Sequence, residues 1–381
     1  MSVETQSFDV SDRSNIRKFV KVPWEIYKND PAWVPPLIAE RMGFLSPKHP
    51  YFEHAQARFW IAYDNGRAVG RISAQFDQIK PSAGQSNIGY FGMFECIDDD
   101  NVASQLFECA ETWLSGFGCE LIRGPFSLSI NQESGLLVDG FDTPAFIMMG
   151  HAKKYFQTLV AHSGYKKAKD LYAWFNRTDF VNPPAMKRII DRYSDRVIVR
   201  KLDKNNVDHD LKIMREVFNN SWANNWGFLS FTEKEFDHLG REMLQLIPAD
   251  LFQIAELDGK PAGMIVMLPN FNEITKDLNG RLFPLGIFKF LWRLKFSSPT
   301  TGRAALLGIK QEYQNLLMGS ALVFMLIRKI QVMSLNAGLA KHEMSWVLED
   351  NTRLNKILES LGGARYKTYR IFEKSLTAET G

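Results

Sequence analysis

The chain has 381 residues, a length that favours two domains, each with its own core. Its 46 basic and 43 acidic residues leave a net charge of +3, which excludes a global electrostatic pull toward nucleic acid or an anionic surface. Hydrophobic content of 45% and charged content of 23% are ordinary for a folded protein and leave little room for a long disordered region.

Residues 1–10 carry Glu4 and Asp9 and no apolar run, which reads as neither a signal nor a transit peptide, so a cytoplasmic location is expected. No run approaches the roughly 20 uninterrupted apolar residues of a spanning helix, and no membrane crossing is expected. Cys96, Cys109 and Cys119 are too widely spaced, and too far from paired histidines, for a zinc site. They are expected as reduced, buried or half-buried thiols, and no metal is expected.

In chain order, a strand-like piece at 5–10 precedes Ser11-Asp12, which caps a helix reaching about Tyr27 and stopped by Asn29-Asp30-Pro31. Apolar runs at 58–63 and 68–76 flank Asp64-Asn65-Gly66-Arg67, a hairpin signal. A turn-rich stretch at 80–86 leads to a strand at 87–94, an acidic cap (Asp98-Asp99-Asp100) and a helix at 102–117. A strand at 120–123, the polar loop 127–135, a helix at 153–162 and a strand pair at 166–175 complete the first block. Asn182-Pro183-Pro184 marks a linker.

The second block repeats the order: a strand at 196–202, helices at 207–222 and 232–247, and a hairpin at 251–257 and 262–268 across Asp258-Gly259-Lys260. A strand at 303–309, a long helix at 318–335, a strand at 341–348, a helix at 352–361 and a strand at 367–374 follow. Two copies at a period of about 190 residues read as a duplicated domain of α/β class, or α+β, around a mixed sheet. The expected division is 1–180, a linker at 181–195, and 196–381 with an insertion at 276–302.

The stretch GIKQEYQNLLMGSAL, residues 308–322, stands between a strand and a long helix and resembles the pyrophosphate loop of the GNAT acyl-CoA N-acyltransferases. Gln314 and Gly319 match that loop, while Leu317 stands where its first glycine is expected. The resemblance implies two tandem GNAT domains and an acyl-CoA co-substrate held around Gly308, Ile309, Lys310, Gln314, Gly319, Ser320 and Ala321. Small residues at a helix start let backbone N–H groups face a diphosphate, or simply let helix and sheet pack closely. The segment 343–363 is similar to the family's fifth strand and following helix, with Asn351 explained as an N-cap. In the first block the equivalent loop reads FECIDDDN, whose three carboxylates would repel a diphosphate, so that domain is expected to be degenerate and to serve acceptor binding.

Acyl transfer needs a neutral amine, an N–H donor for the developing oxyanion and a proton for the leaving thiolate. The resemblance assigns the N–H to the backbone of Gly308 or Ile309. Strand alternation makes Glu343 the candidate base, ahead of Glu312 and Glu349. The family's acidic Tyr is replaced here by Leu358, which leaves Tyr369 as the nearest candidate acid. Asn131, Glu133 and Ser134 are candidate substrate-binding residues, with a solvated turn as the alternative. His151 and His342 read as surface or satisfied core histidines.

Between Leu278 and Gln311 there is no acidic residue, while Arg281, Lys289, Arg293 and Lys295 alternate with Phe283, Phe288, Phe290, Leu291, Trp292 and Phe296. Such a segment suits peripheral contact with a membrane or lipid chain through 281–296, or a helix packed at a domain interface. The insertion, the tandem layout, the opening PWEIYKNDPAWVPPL at 23–37, RISAQ at 71–75 and the SINQESG loop are similar to bacterial ceramide synthases. That resemblance implies a small-molecule or lipid amine, such as a sphingoid base, as acceptor, at the inner face of the cytoplasmic membrane. An inactive acyl-CoA or lipid-binding protein and an aminoacyl-tRNA-dependent transferase stay open as alternatives. The balanced charge argues against nucleic acid.

Overall fold

The computed structural model describes residues 3–80 and 87–377, so residues 81–86 of the expected turn lie outside the described residues. The chain forms two compact units that interleave along the sequence: 1–171 with 272–297 and 367–381, and 172–271 with 298–366. The insertion and the last strand thus fall in the first unit, whereas a single boundary at 181–195 would leave both in the C-terminal half.

In the first unit β1 (Val3–Phe8), β2 (Ala55–Asp64), β3 (Arg67–Asp77) and β4 (Ile88–Cys96) pair antiparallel in that order, and β5 (Leu121–Gly124) lies parallel to β4. The β2–β3 turn places Asn65 at φ 49° and Gly66 at φ 79°, the left-handed pair that a two-residue hairpin of this twist requires. Asp99 caps the helix Asp100–Ser115 by accepting from the N–H groups of Asn101 and Val102. That helix buries Val102, Leu106, Phe107 and Leu114, and Phe107 meets Phe91, Phe94 and Tyr165 in an aromatic core. Two differences from expectation follow: β6 (Leu136–Asp139) is an added strand, and β7 (Lys166–Arg177) is one long strand where a pair was expected.

In the second unit β8 (Val197–Lys201), β9 (Phe252–Leu257), β10 (Lys260–Pro269) and β11 (Thr301–Ile309) pair antiparallel, and β12 (Lys341–Leu348) lies parallel to β11. The expected α/β class, with mixed strand directions and a repeated order, is what forms. The helix Leu317–Asn336, eighteen of whose twenty residues average a hydropathy of 1.4, is long and apolar enough to cross a membrane by length and composition alone, although Arg328 and Lys329 interrupt its apolar run. Half of it is buried, and Ile327 packs with Met186, Ile190 and Leu361 of the same unit, as a core helix does.

The last strand, β13 (Ala364–Ser375), pairs antiparallel with β5, Phe372 opposite Gly124, and with β6. Its side chains reinforce the pairing: Arg123 donates to Glu373, Lys374 to Glu111 and Arg370 to Asp170. The segment 272–297 is tied to the same unit by hydrogen bonds from Trp24 to Asn279, from Lys276 to the Pro31 carbonyl and from Asn272 to the Ala145 carbonyl.

Candidate active site

Each unit holds the same strand wedge. In the second unit the parallel pairing of β11 with β12 runs from Thr301–Lys341 to Ala304–Met344 and goes no further, although both strands continue. In the first, β4 and β5 pair from Ile88–Leu121 to Tyr90–Arg123, and the Phe126 N–H still reaches the Phe91 carbonyl at 2.8 Å. Beyond that point the chains part.

The loop after β11 makes a single helical turn, Gln311–Gln314, before the long helix begins at Leu317. Gln314 stitches it to its surroundings, donating to the carbonyls of Ser221 at 2.9 Å and Ile309 at 2.8 Å. Gly319 is needed for closeness: an added Cβ would lie 2.1 Å from the Tyr313 carbonyl oxygen. Its N–H donates to the Leu316 carbonyl. Ala321 is wholly buried, which leaves only its backbone for any ligand, whereas the Leu317 side chain faces solvent. Gly308 pairs with Met264 and Ile309 with Gly263 in the ladder with β10, and the Lys310 N–H donates to the Ala262 carbonyl.

Sequence reasoning missed Arg353. From the first turn of the helix Thr352–Ser360, its guanidinium donates to the Gln314 carbonyl and to Ser320 Oγ at 2.5 Å. This exposed cation lies across a turn whose glycine permits close backbone approach, beside the start of a helix. Such an arrangement fits a phosphate-bearing group.

Glu343, the candidate base, is wholly buried in a polar network. Ser345 Oγ donates to it at 2.6 Å, Tyr366 donates to its other oxygen, and Arg303, itself 2% exposed, lies 3.7 Å away and donates to Ser345. A carboxylate so placed balances Arg303. It has no opening through which to meet an amine, and the assignment as base is corrected on that ground. Tyr369 is also wholly buried, in β13 of the other unit, which removes it as a candidate acid.

The loop 127–135 folds back on itself, with Ser127 N–H donating to the Glu133 carbonyl and Ser134 Oγ to the Ile130 carbonyl. Gly135 turns at φ 82°, where an added Cβ would press on Tyr369. Asn131 and Ser134 serve this loop. Glu133 instead faces a cavity of about 160 Å³ in the mouth of the first wedge, between Met93, Phe94 and Glu95 on one side and Pro125, Ser127 and Leu136 on the other.

The charges on that wall are matched. Arg41 donates to Glu133, and Arg71 grips Glu95 with its Nε at 2.5 Å and a second bond at 3.1 Å. Burial pushes the Glu133 carboxyl up, but Arg41 beside it outweighs this and holds it below its usual range. His151 also lines the cavity, with Nε2 3.1 Å from Asp30, which accepts from Lys153 at 2.9 Å as well. Sequence gave no sign of this pairing, since 121 residues separate the partners.

No family model matches the chain. Protein YghO of Escherichia coli (strain K12) is 42% identical over 366 residues, covering 96% of this chain and 94% of its own length. A bacterial ceramide synthase of Caulobacter vibrioides is 40% identical over 370 residues, covering 96% of each. Among solved structures, a tandem GNAT protein from the clavulanic acid biosynthesis pathway superposes with a TM-score of 0.57 at 10% identity, over 99% of this chain and all of its own.

Proposed function

We infer the reaction from the premise that this chain belongs to the family of tandem GNAT N-acyltransferases that includes a bacterial ceramide synthase. The proposed reaction moves an acyl group from coenzyme A to the primary amine of a long-chain, sphingoid-type base. The relative from Caulobacter supports the acceptor class by its name.

One observation on this chain carries the lipid part of the reading. The helix Gly286–Phe296 buries Phe290 but leaves Phe288 69% and Trp292 58% exposed, together with Leu291 and Phe296. Asp277 takes up Lys289 and Arg293, while Arg281 and Lys295 are exposed beside the apolar face. An apolar strip flanked by cations suits an anionic bilayer surface from which a long-chain amine is drawn.

Coenzyme A, when bound, supplies the acyl group as an activated thioester. For its phosphates the chain offers the turn Gly308 to Ala321: Lys310 and Arg353 as cations, Gln314 to brace the turn, Ser320 for a hydrogen bond and Gly319 for close approach. Gly308 has its own packing limit, since an added Cβ would lie 2.4 Å from the Trp222 ring.

The test is to incubate the full chain with acyl-CoAs of several lengths and a panel of amines, from short polyamines to sphinganine, following thiol release. Release that depends on sphinganine supports the reading. Release with short polar amines alone keeps the N-acyltransferase and overturns the lipid acceptor.

A further inference from the structure

We propose that the cavity of the first unit is a binding site for the polar end of an uncharged amphipathic molecule, an amide or alcohol whose N–H or O–H donates to His151 Nδ1. The site is built by that unit alone and involves no acyl transfer, so it stands or falls apart from the reaction proposed above.

The cavity is lined by residues between Val20 and His151, joined by Asn272 from the segment 272–297 of the same unit. The His151 side chain is 5% exposed and sits on the wall, with Nε2 3.1 Å from Asp30. Nδ1 is buried and finds no hydrogen-bond partner among the described residues. Buried polar atoms without partners are rare enough in native proteins to need an explanation, and a ligand's donor would satisfy this one.

The partners of the ring decide which way that bond runs. Asp30 stays ionised: burial raises it, but the bonds from Lys153 and His151 outweigh that and hold it at about 2. A carboxylate only accepts, which puts the imidazole proton on Nε2. Burial pushes the ring below its usual value, and Asp30 opposes this without reversing it, so His151 is neutral at pH 7. Nδ1 therefore keeps its lone pair, and the ligand must bring the hydrogen.

Charge selects against an ionic ligand. Arg41 is paired with Glu133, Arg71 with Glu95 and Lys153 with Asp30, while Lys367 donates to the Thr143 carbonyl at 2.8 Å. An entering ammonium or carboxylate would lose its hydration and meet only charges that already have partners. The rest of the wall is apolar, with Val20, Pro23, Trp33, Leu45 and Phe94. An apolar lining around one convergent polar atom is the usual build of a small-molecule site. A volume of about 160 Å³ is below the ~300–1,000 Å³ typical of whole-ligand sites, so one end of a longer molecule enters.

The experiment titrates the full chain by calorimetry with octanoyl ethanolamide, octanol, octylammonium and octanoate. Either neutral probe is expected to bind about tenfold or more tightly than both ions, and the better of the two names the donor. No binding by either neutral probe, or an ion bound as tightly, overturns the proposal. His151→Phe keeps a ring in place without its nitrogens and should weaken the neutral probe about tenfold. Gly150→Leu should abolish binding, since an added Cβ there meets only the Gly135 carbonyl at 3.8 Å and the longer side chain fills the cavity. Wild-type affinity in either variant, with the melting temperature unchanged, overturns the proposal. Should His151→Phe fail to fold, 15N-histidine-labelled protein judges the bond itself: the neutral probe is expected to shift one Nδ1 resonance in wild type and none in Gly150→Leu. Unmoved resonances in wild type overturn the proposal.

Discussion

Arg303 and Glu343 are buried together at 2% and 0% exposure, so the stability of each depends on the other. Replacing Arg303 with Met removes the buried guanidinium that faces Glu343, and a buried pair broken from one side costs about 3–5 kcal/mol. Urea unfolding of Arg303→Met should therefore give an unfolding free energy lowered by that amount, and Glu343→Gln, which keeps an acceptor for Ser345, a smaller loss. His342, on the same strand, is held neutral for a different reason: burial pushes its imidazole down to about 4. A proton then binds the unfolded chain more tightly than the folded one at any pH below about 6.5, so stability contributed by the neutral ring is complete above that value. It is lost as pH falls toward 4, by about 3 kcal/mol at the linkage rate of 1.36 kcal/mol per unit. Urea unfolding at pH 7, 5.5 and 4.5 should show that fall, and His342→Leu should flatten it.

At the scale of elements, the loop from Ile309 to Leu317 was legible as a turn between strand and helix, because glycine and small residues at a helix start carry a local signal. Arg353 was not, because its contact with Gln314 and Ser320 joins two helix starts more than thirty residues apart. Since Arg353 is exposed, its loss should change stability by no more than about 0.5 kcal/mol. A charge-assisted bond to phosphate is worth about 1.5–3 kcal/mol, so Arg353→Ala should weaken coenzyme A binding by about tenfold or more in calorimetry. Unchanged affinity in a folded variant removes Arg353 from the phosphate site. The helix Gly286–Phe296 shows the converse: its apolar and basic content was plain in sequence, but which side chains remain outside depends on its docking. With Phe288 and Trp292 exposed, Phe288→Glu with Trp292→Glu should abolish sedimentation with vesicles of anionic phospholipid and leave the melting temperature within about 2 °C.

For the whole molecule, the duplicated order could be read from hairpin turns at Asn65-Gly66 and Asp258-Gly259, since left-handed turn residues are a local property. The interleaving of the units could not, because nothing local to β13 says which sheet will receive it. The pairing Phe372–Gly124 spans nearly 250 residues, and the ion pair Arg123–Glu373 is fixed only once the fold is formed. The candidate acid and base failed for the same reason: strand alternation gives the face on which Glu343 lies but not whether that face is sealed. The interleaving has its own consequence. A chain ending at residue 366 loses the partner of β5 and the ions that meet Glu111, Arg123 and Asp170, while β8 to β12 keep every neighbour they pair with. Hydrogen exchange on that truncated protein should therefore show protection lost first in β4 and β5, near the start of the sequence, and retained in β9 and β10. Equal loss in both sets would mean that β13 holds the two halves as one cooperative body.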